Sequence, residues 1–292
     1  MRKESEKQMK SAQQMNKYKF PLPLEVDTNE LTAPGGGKKI RGCKKESSFC
    51  VKETMVRLVP DPKSPSTNNV LKSFAPIKLS ASFQSIFLFL KSIFRKGYAL
   101  QEHAKLELLV SKGINVPRPL DSGGKRLFGP LYESFLLMEE VIGISLKNIV
   151  KQLEGLPKND ASYVKAHLIY PLARAIQGMH SKGILHRDLN PSNILFRGFD
   201  KKNIEVFFID ILNARSIPNF FIRKGMPVHC IISDLYRLNA GLDRWAKKGI
   251  ITNKDKLRFW VYYSSGNKLL KAKEREILGR IISRTEENLA KR

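Results

Sequence analysis

Asp188 and Asn193 stand five residues apart in the run His186-Arg187-Asp188-Leu189-Asn190-Pro191-Ser192-Asn193, and Asp210 follows the apolar run Val206-Phe207-Phe208-Ile209. Transfer of a phosphoryl group to a hydroxyl calls for such a set. One carboxylate must orient and deprotonate the acceptor, hard oxygen ligands must hold a divalent cation on the nucleotide phosphates, and a cation must hold the phosphates themselves. Asp188 suits the first task, and Asn193 with Asp210 suits the second. The His-Arg-Asp tripeptide alone is weak evidence. The spacing to Asn193, the apolar segments on both sides and the later Asp210 all point the same way. The plainer alternative, two aspartates that merely cap loops, would have to produce this agreement by chance.

These residues can meet only if particular elements place them. Ile194-Leu195-Phe196 and Val206 to Ile209 are spaced for a short β-hairpin that returns Asp210 to the side of Asn193. Ahead of the loop, Ala161 to His180 predicts a long helix with Val164, Leu168, Leu172, Ile176 and Met179 on one stripe. Pro171 lies inside that stripe and is expected to kink or split the helix. Ser145 to Leu153 predicts another helix, and Asp234 to Lys247 and Lys268 to Ala290 predict two more.

The first half reads differently. Phe49 to Val51, Met55 to Leu58 and Val70 to Phe74 are β-compatible, and Pro60 to Asn69 reads as a Pro/Ser/Asn loop. Phe135 to Met138 reads as a buried strand from its continuous apolar run. Two helices are predicted between these strands, over about Ala81 to Phe94 and Leu100 to Ser111, the second stopped by Gly113. Strands first and helices later give an α+β fold in two lobes. The expected organisation is a disordered basic tail over residues 1–20, a small β-rich N-lobe over 21–140 and a reduced, mostly helical C-lobe over 141–292.

The chain has 292 residues, 42% of them hydrophobic, which excludes a wholly disordered polymer. It carries 52 Lys and Arg against 27 Asp and Glu, a net charge of +25, so its partners are expected to be anionic. Cys43, Cys50 and Cys230 form neither an even disulfide framework nor a ligand cluster, as expected in a reducing compartment. Met1 to Lys19 has no apolar core of a secretory signal, and the apolar run Ile86 to Leu90 is too short to span a bilayer. These features lead to the expectation of a cytoplasmic protein, soluble or peripheral to a membrane.

The sequence resembles the protein-kinase-like superfamily, and within it the lipopolysaccharide-core kinases, the Kdo and heptose kinase family of Gram-negative bacteria. The likeness is carried by Gln101 to Ala104, Gly113 to Pro119, Phe135 to Glu140, Met179 to Asp188, Phe207 to Asp210 and Ser233 to Leu238, and it extends over roughly Glu46 to Tyr263. It implies ATP as phosphate donor and Mg as metal, with Asp188 as catalytic base and Asn193 and Asp210 as metal ligands. Glu102 resembles the helix glutamate that pairs with a strand lysine. Lys72 matches that lysine best, with Lys91 and Lys96 as competitors. Met138-Glu139-Glu140-Val141 resembles the hinge, where backbone groups of Glu139 and Val141 would meet adenine. Asp234 resembles the aspartate that braces the catalytic loop from behind.

Departures from the protein kinases shape the expected acceptor. Asn190 stands where those enzymes usually carry Lys, Asp210-Ile211-Leu212 replaces Asp-Phe-Gly, and no Ala-Pro-Glu follows. A platform for a peptide is therefore not expected. The resemblance implies a sugar hydroxyl of the lipopolysaccharide inner core, Kdo or heptose, as acceptor, and the positive charge suits such an anionic glycolipid. A protein or small-molecule kinase, or a nucleotide-binding scaffold without activity, are the alternatives; polycationic aminoglycosides fit +25 poorly. Nucleic acid is not expected as a partner, for want of a recognition motif.

Two further stretches stand apart. Pro62 to Leu100 contains no acidic residue and interleaves Lys63, Lys72, Lys78, Lys91, Arg95 and Lys96 with Phe83, Ile86, Phe87, Phe89, Leu90, Ile93 and Phe94. A basic, Phe-rich amphipathic segment suits an anionic inner-membrane surface, and packing on the small lobe would explain the rings as well. Gly35 to Gly37, Gly42 and the run Lys44 to Ser48 all compete as a phosphate-covering turn or a linker.

Overall fold

The computed structural model describes residues 38–40, 54–62, 64–74, 97–126, 132–199, 203–217, 227–265 and 267–290. The tail over 1–20, the glycine-rich stretch, Lys91, Lys96 and the Phe-rich helix expected over Ala81 to Phe94 lie outside them.

Five strands form one antiparallel sheet in the order β1-β2-β3-β5-β4. They are β1 (Lys38–Ile40), β2 (Thr54–Asp61), β3 (Ser64–Phe74), β4 (Pro119–Arg126) and β5 (Tyr132–Glu139). The β2–β3 ladder runs from Thr54 opposite Phe74 to Pro60 opposite Asn68, so much of the expected Pro60 to Asn69 loop is strand. Cross-strand pairing can draw polar residues into a sheet that their propensities disfavour. In β5 the apolar run does not have both faces buried. Leu136 is fully buried while Phe135 is 38% exposed, the alternation of a strand with one face toward the core.

The covering element is α1 (Tyr98–Ser111). Ala99, Glu102, Leu106 and Leu109 recur at helical spacing and are the residues it buries. Gly113, at φ 61°, ends the helix in the left-handed region, where a side chain would be strained.

The rest of the chain is mostly helical. A second, three-stranded sheet is built from β6 (Ile144–Ser145), β8 (Ile194–Arg197) and β9 (Glu205–Phe208), and β7 (Ile184–Leu185) pairs with β10 (Arg215–Ser216). α2 (Leu146–Leu153) is capped by the Ser145 hydroxyl, which accepts from Asn148 N–H at 3.2 Å. α3 (Lys158–Ser181) runs unbroken through Pro171. An interior proline costs a helix about 3 kcal/mol. Val164, Leu168, Leu172, Ile176 and Met179 are all buried on the two sides of it. At about 1.5–3 kcal/mol for each buried side chain they outweigh that cost.

α4 (Val228–Lys247) begins six residues before the expected start. α5 (Asn253–Ser264) has no counterpart in the sequence reading, although Thr252 and Asp255 form a reciprocal capping box at its start. Asp255 also accepts a buried 2.7 Å bond from Lys165 Nζ, which fastens α5 to α3. The predicted helix over Lys268 to Ala290 divides at Lys273 into α6 (Lys268–Ala272) and α7 (Glu274–Ala290). Among the described residues no helix is long and apolar enough to cross a membrane.

The helix α4 meets the Asp188 loop at very close range. A Cβ added at Gly241 would lie 2.3 Å from Pro191 Cδ, against a rigid ring rather than a flexible chain end. Gly241→Ala raises helix propensity by about 1 kcal/mol, yet it must push Pro191 and the loop away. We expect a net loss of about 1–3 kcal/mol in urea unfolding. An unchanged or higher urea midpoint would contradict this close packing.

Candidate active site

The hairpin made by β8 and β9 brings the metal-ligand candidates together. Ile194 pairs with Phe208, and just beyond the ladder Ile209 N–H donates to Asn193 O at 3.0 Å. Asp210 therefore starts its turn beside Asn193. It has φ 55° and opens the short 3-10 turn Ile211–Asn213.

Two amides frame Asp188. Asn193 Nδ2 donates to Asp188 O at 2.9 Å and lies 3.4 Å from Oδ2, while Asn190 Nδ2 lies 3.2 Å from Oδ1. Because the NH2 end of Asn193 faces Asp188, its carbonyl oxygen is directed away from it. Asn190 also accepts from Ser192 N–H at 2.9 Å, which closes the loop on itself. The sequence reading noted Asn190 only as a departure from protein kinases; here it holds the carboxylate. Its place two residues after Asp188, followed by Pro and Ser, was the available signal.

Behind the loop lie His186 and Asp234. His186 Nδ1 accepts from Asp188 N–H at 3.3 Å, so the proton sits on Nε2, 3.1 Å from Ile209 O. Burial lowers the pKa of this ring against the pull of Asp234 and Asp188, consistent with a neutral imidazole. Asp234 is wholly buried on α4. Its two oxygens accept from His186 N–H and Arg187 N–H, both at 2.8 Å, and Oδ2 lies 3.2 Å from His180 Nε2. Burial alone would raise its pKa, but the bonds from His180, His186 and Arg187 prevail and hold it below the usual carboxylate range. Arg187 is bent into the left-handed region at φ 63° as it makes its bond.

On the sheet side, Lys72 lies on β3 opposite Leu136 of β5. Its Nζ is 2.9 and 3.0 Å from the two oxygens of Glu102 on α1 and 3.0 Å from Asp210 Oδ1. Desolvation works to lower the lysine pKa, but the two carboxylates outweigh it and raise the value. Lys72 thus ties the sheet, α1 and the Asp210 turn into one cluster. Lys105, one helical turn after Glu102, donates to Leu212 O and secures the same turn from α1.

Glu139 and Val141 fall where β5 leaves the sheet toward β6. Glu139 N–H is already engaged by Arg118 O at 2.9 Å, and Glu140 N–H lies 3.4 Å from Asn68 O. The N–H of Val141 lies two residues further along, beyond the end of β5. Among the described residues no three His, Cys, Asp or Glu side chains gather as a metal cage. One amide and one carboxylate oxygen nevertheless suit Mg²⁺, which keeps its other positions for phosphate and water.

A lysine–glutamate pair on a small antiparallel sheet and helix, set over a helical part that carries the aspartate loop, is the architecture of protein-kinase-like phosphotransferases. In keeping with this, the lipopolysaccharide kinase (Kdo/WaaP) family matches residues 88–263. That span covers well over half of the chain, and the chain belongs to this family. The 3-deoxy-D-manno-octulosonic acid kinase of Photobacterium profundum is 34% identical over 100 residues, 34% of this chain and 39% of that protein. The Aurora kinase of Saccharomyces cerevisiae is 34% identical over 103 residues, 35% of this chain and 26% of that protein. The chain thus spans well under half the length of these relatives. A solved structure of WaaP in complex with acyl carrier protein shares the fold at a TM-score of 0.53 and 16% identity, covering 85% of this chain and 89% of that one.

Asp234 supplies a pH test of the loop's anchor. A carboxyl whose pKa is depressed on folding stabilises the native state above its unfolded value, and that contribution is lost as pH falls through the folded value. Asp234→Asn keeps the shape but replaces one acceptor by a donor. We expect a loss of about 2–4 kcal/mol at pH 7 in denaturant titrations. The gap between wild type and variant should close as pH falls below about 4. A gap that stays constant down to pH 2.5 would contradict the buried anion.

Proposed function

We propose that this protein transfers the γ-phosphate of ATP to a sugar hydroxyl of the lipopolysaccharide inner core, on Kdo or heptose. The observation that carries the proposal is the convergence of Asp188, Asn193, Asp210, Lys72 and Glu102 from distant parts of the chain in one family-matched fold. The net charge of +25 supports an acceptor that bears phosphates and sugar carboxylates. The same reading divides the lobes near residues 140 and 141, with Glu139 and Val141 offering backbone groups to adenine.

The residues then take these parts. Glu102 holds Lys72 in place, and Lys72 grips the nucleotide phosphates. Asn193 and Asp210 would hold Mg²⁺, which neutralises charge on those phosphates when bound. Asp188, fixed by Asn190 and Asn193, accepts a hydrogen bond from the acceptor hydroxyl and takes its proton as the oxygen attacks. The new bond joins that oxygen to the γ-phosphorus, the bond from the γ-phosphorus to the β-γ bridging oxygen breaks, and ADP leaves.

Incubation with ATP, Mg²⁺ and lipid A–Kdo should add one phosphate mass to the acceptor. Asp188→Asn should lower the rate by about 100-fold or more, and Lys72→Met should raise KM for ATP as well as lower kcat. Equal product from wild type and Asp188→Asn would overturn the assignment of the base. A panel of Kdo and heptose acceptors distinguishes the sugars.

A partner reading rests on a separate feature. The helical part holds a half-open pocket of about 610 Å³, walled by Leu146, Leu168, Leu172, Leu238, Trp260 and Ile281 among others. Its apolar lining and the basic surface fit the acyl chain of an acidic carrier protein; WaaP itself is solved in complex with acyl carrier protein. Native mass spectrometry should retain a palmitoylated carrier and not the unacylated form. Equal retention of both forms would remove the cavity's part in it. The basic, Phe-rich stretch between Pro62 and Leu100 supports peripheral contact with an anionic inner membrane from the cytoplasmic side.

A further inference from the structure

The hydrogen bonds behind the catalytic loop do not end at Asp234. His180, near the end of α3, is 3% exposed and presents Nε2 to Asp234 Oδ2 at 3.2 Å. Its other nitrogen, Nδ1, lies 2.7 Å from the hydroxyl of Tyr263 on α5, itself 1% exposed. An ionised Asp234 can only accept, so Nε2 carries the proton and donates. In the neutral ring Nδ1 is a lone-pair acceptor, and the phenol O–H donates to it. Burial raises the Tyr263 pKa, which keeps that proton in place.

The phenol is held in position by its neighbours. Its ring stacks on Phe259 at a centroid distance of 5.9 Å and an interplanar angle of 10°, and it stands edge-on to His180 at 87°. Trp260 flanks it at 5.8 Å. Rotation of the ring out of this clamp would leave Nδ1 buried without a donor.

We propose that Tyr263 is a positioning residue for the reaction, setting the His180 tautomer so that Asp234 holds the backbone N–H groups of His186 and Arg187 in place. The line runs from a phenol on α5 through an imidazole on α3 and a carboxylate on α4 to the peptide groups just before Asp188. It gives α5 a part in catalysis although α5 contributes no residue to the Asp188 cluster. The proposal rests on the kinase reading for its effect on turnover, but not for its effect on the loop.

The test is Tyr263→Phe, which keeps the stacked ring and removes only the hydroxyl. Two readouts need no acceptor. Nitrogen-15 shifts of His180 should leave the pattern of a single Nε2–H tautomer, and amide exchange at His186 and Arg187 should accelerate about tenfold. Phe259→Leu, which weakens the stack but keeps the hydroxyl, should leave the His180 nitrogen shifts unchanged. With ATP, Mg²⁺ and lipid A–Kdo, Tyr263→Phe should lower kcat about tenfold with KM for ATP within about twofold of wild type. Unaltered His180 shifts and loop exchange in Tyr263→Phe would overturn the proposal. Altered shifts and exchange with undiminished kcat would refute its catalytic part. Phosphate transfer absent from wild type as well would instead count against the acceptor reading.

Discussion

A carboxylate buried as completely as Asp234 must be fully hydrogen-bonded or it would take up a proton and lose its charge. In this protein the donors are the backbone N–H groups of His186 and Arg187 and the ring of His180. The requirement therefore works in both directions. The anion needs the loop peptides, and the loop peptides, bent so that Arg187 has positive φ, are held in that shape by the anion. The local geometry before Asp188 follows, and the amides of Asn190 and Asn193 then complete it from the other side.

The sheet is coupled to this arrangement through α1. Lys105 reaches Leu212 O, Asn115 O accepts from Phe208 N–H at 2.9 Å, and two lysines cross over between α1's end and the α3–β7 turn. Lys112 donates to Lys182 O at 3.0 Å while Lys182 donates to Gly113 O at 2.8 Å. Each of these bonds lands on a backbone carbonyl. The segment after Asp210 closes quickly as well, with Arg215 opposite Leu185 and Ile217 N–H on Gly183 O at 2.8 Å. In this arrangement Glu102 already faces Lys72.

Much of this was legible in the residues. The His186 to Asn193 run, the apolar hairpin and Asp210 are local in sequence, and their spacing maps directly onto strand register. The contact of Lys72 with Glu102 exists only in three dimensions, because it depends on α1 packing against the sheet, and the competing Lys91 and Lys96 lie outside the described residues. The strand over Ser64 to Asn69 was missed because its Pro, Ser and Asn residues speak for a loop, and only cross-strand bonds to β2 overrule them. The continuity of α3 through Pro171 has the same origin, a buried stripe stronger than a local penalty. α5 was missed despite its capping box, since Lys254, Lys256 and Arg258 obscure the apolar face that holds Trp260 and Tyr263. The contributions of Asn190, His180 and Tyr263 are hydrogen-bond partnerships across elements, which no spacing encodes.

The two carboxylates on Lys72 are not equivalent, and their difference orders what happens when phosphate arrives. Glu102 is 2% exposed and Asp210 is 50% exposed. Parting Lys72 from Glu102 would leave a buried charge without its counterion, at a cost of about 3–5 kcal/mol. Parting it from Asp210 loses an exposed pair of about 0–1 kcal/mol. On the proposed function, an incoming phosphate would displace Asp210 and leave Glu102 where it is. On that reading Asp210 would then stand beside Asn193, the pair that would hold the cation. One lysine thus joins a buried carboxylate that it cannot leave cheaply to an exposed one that it can.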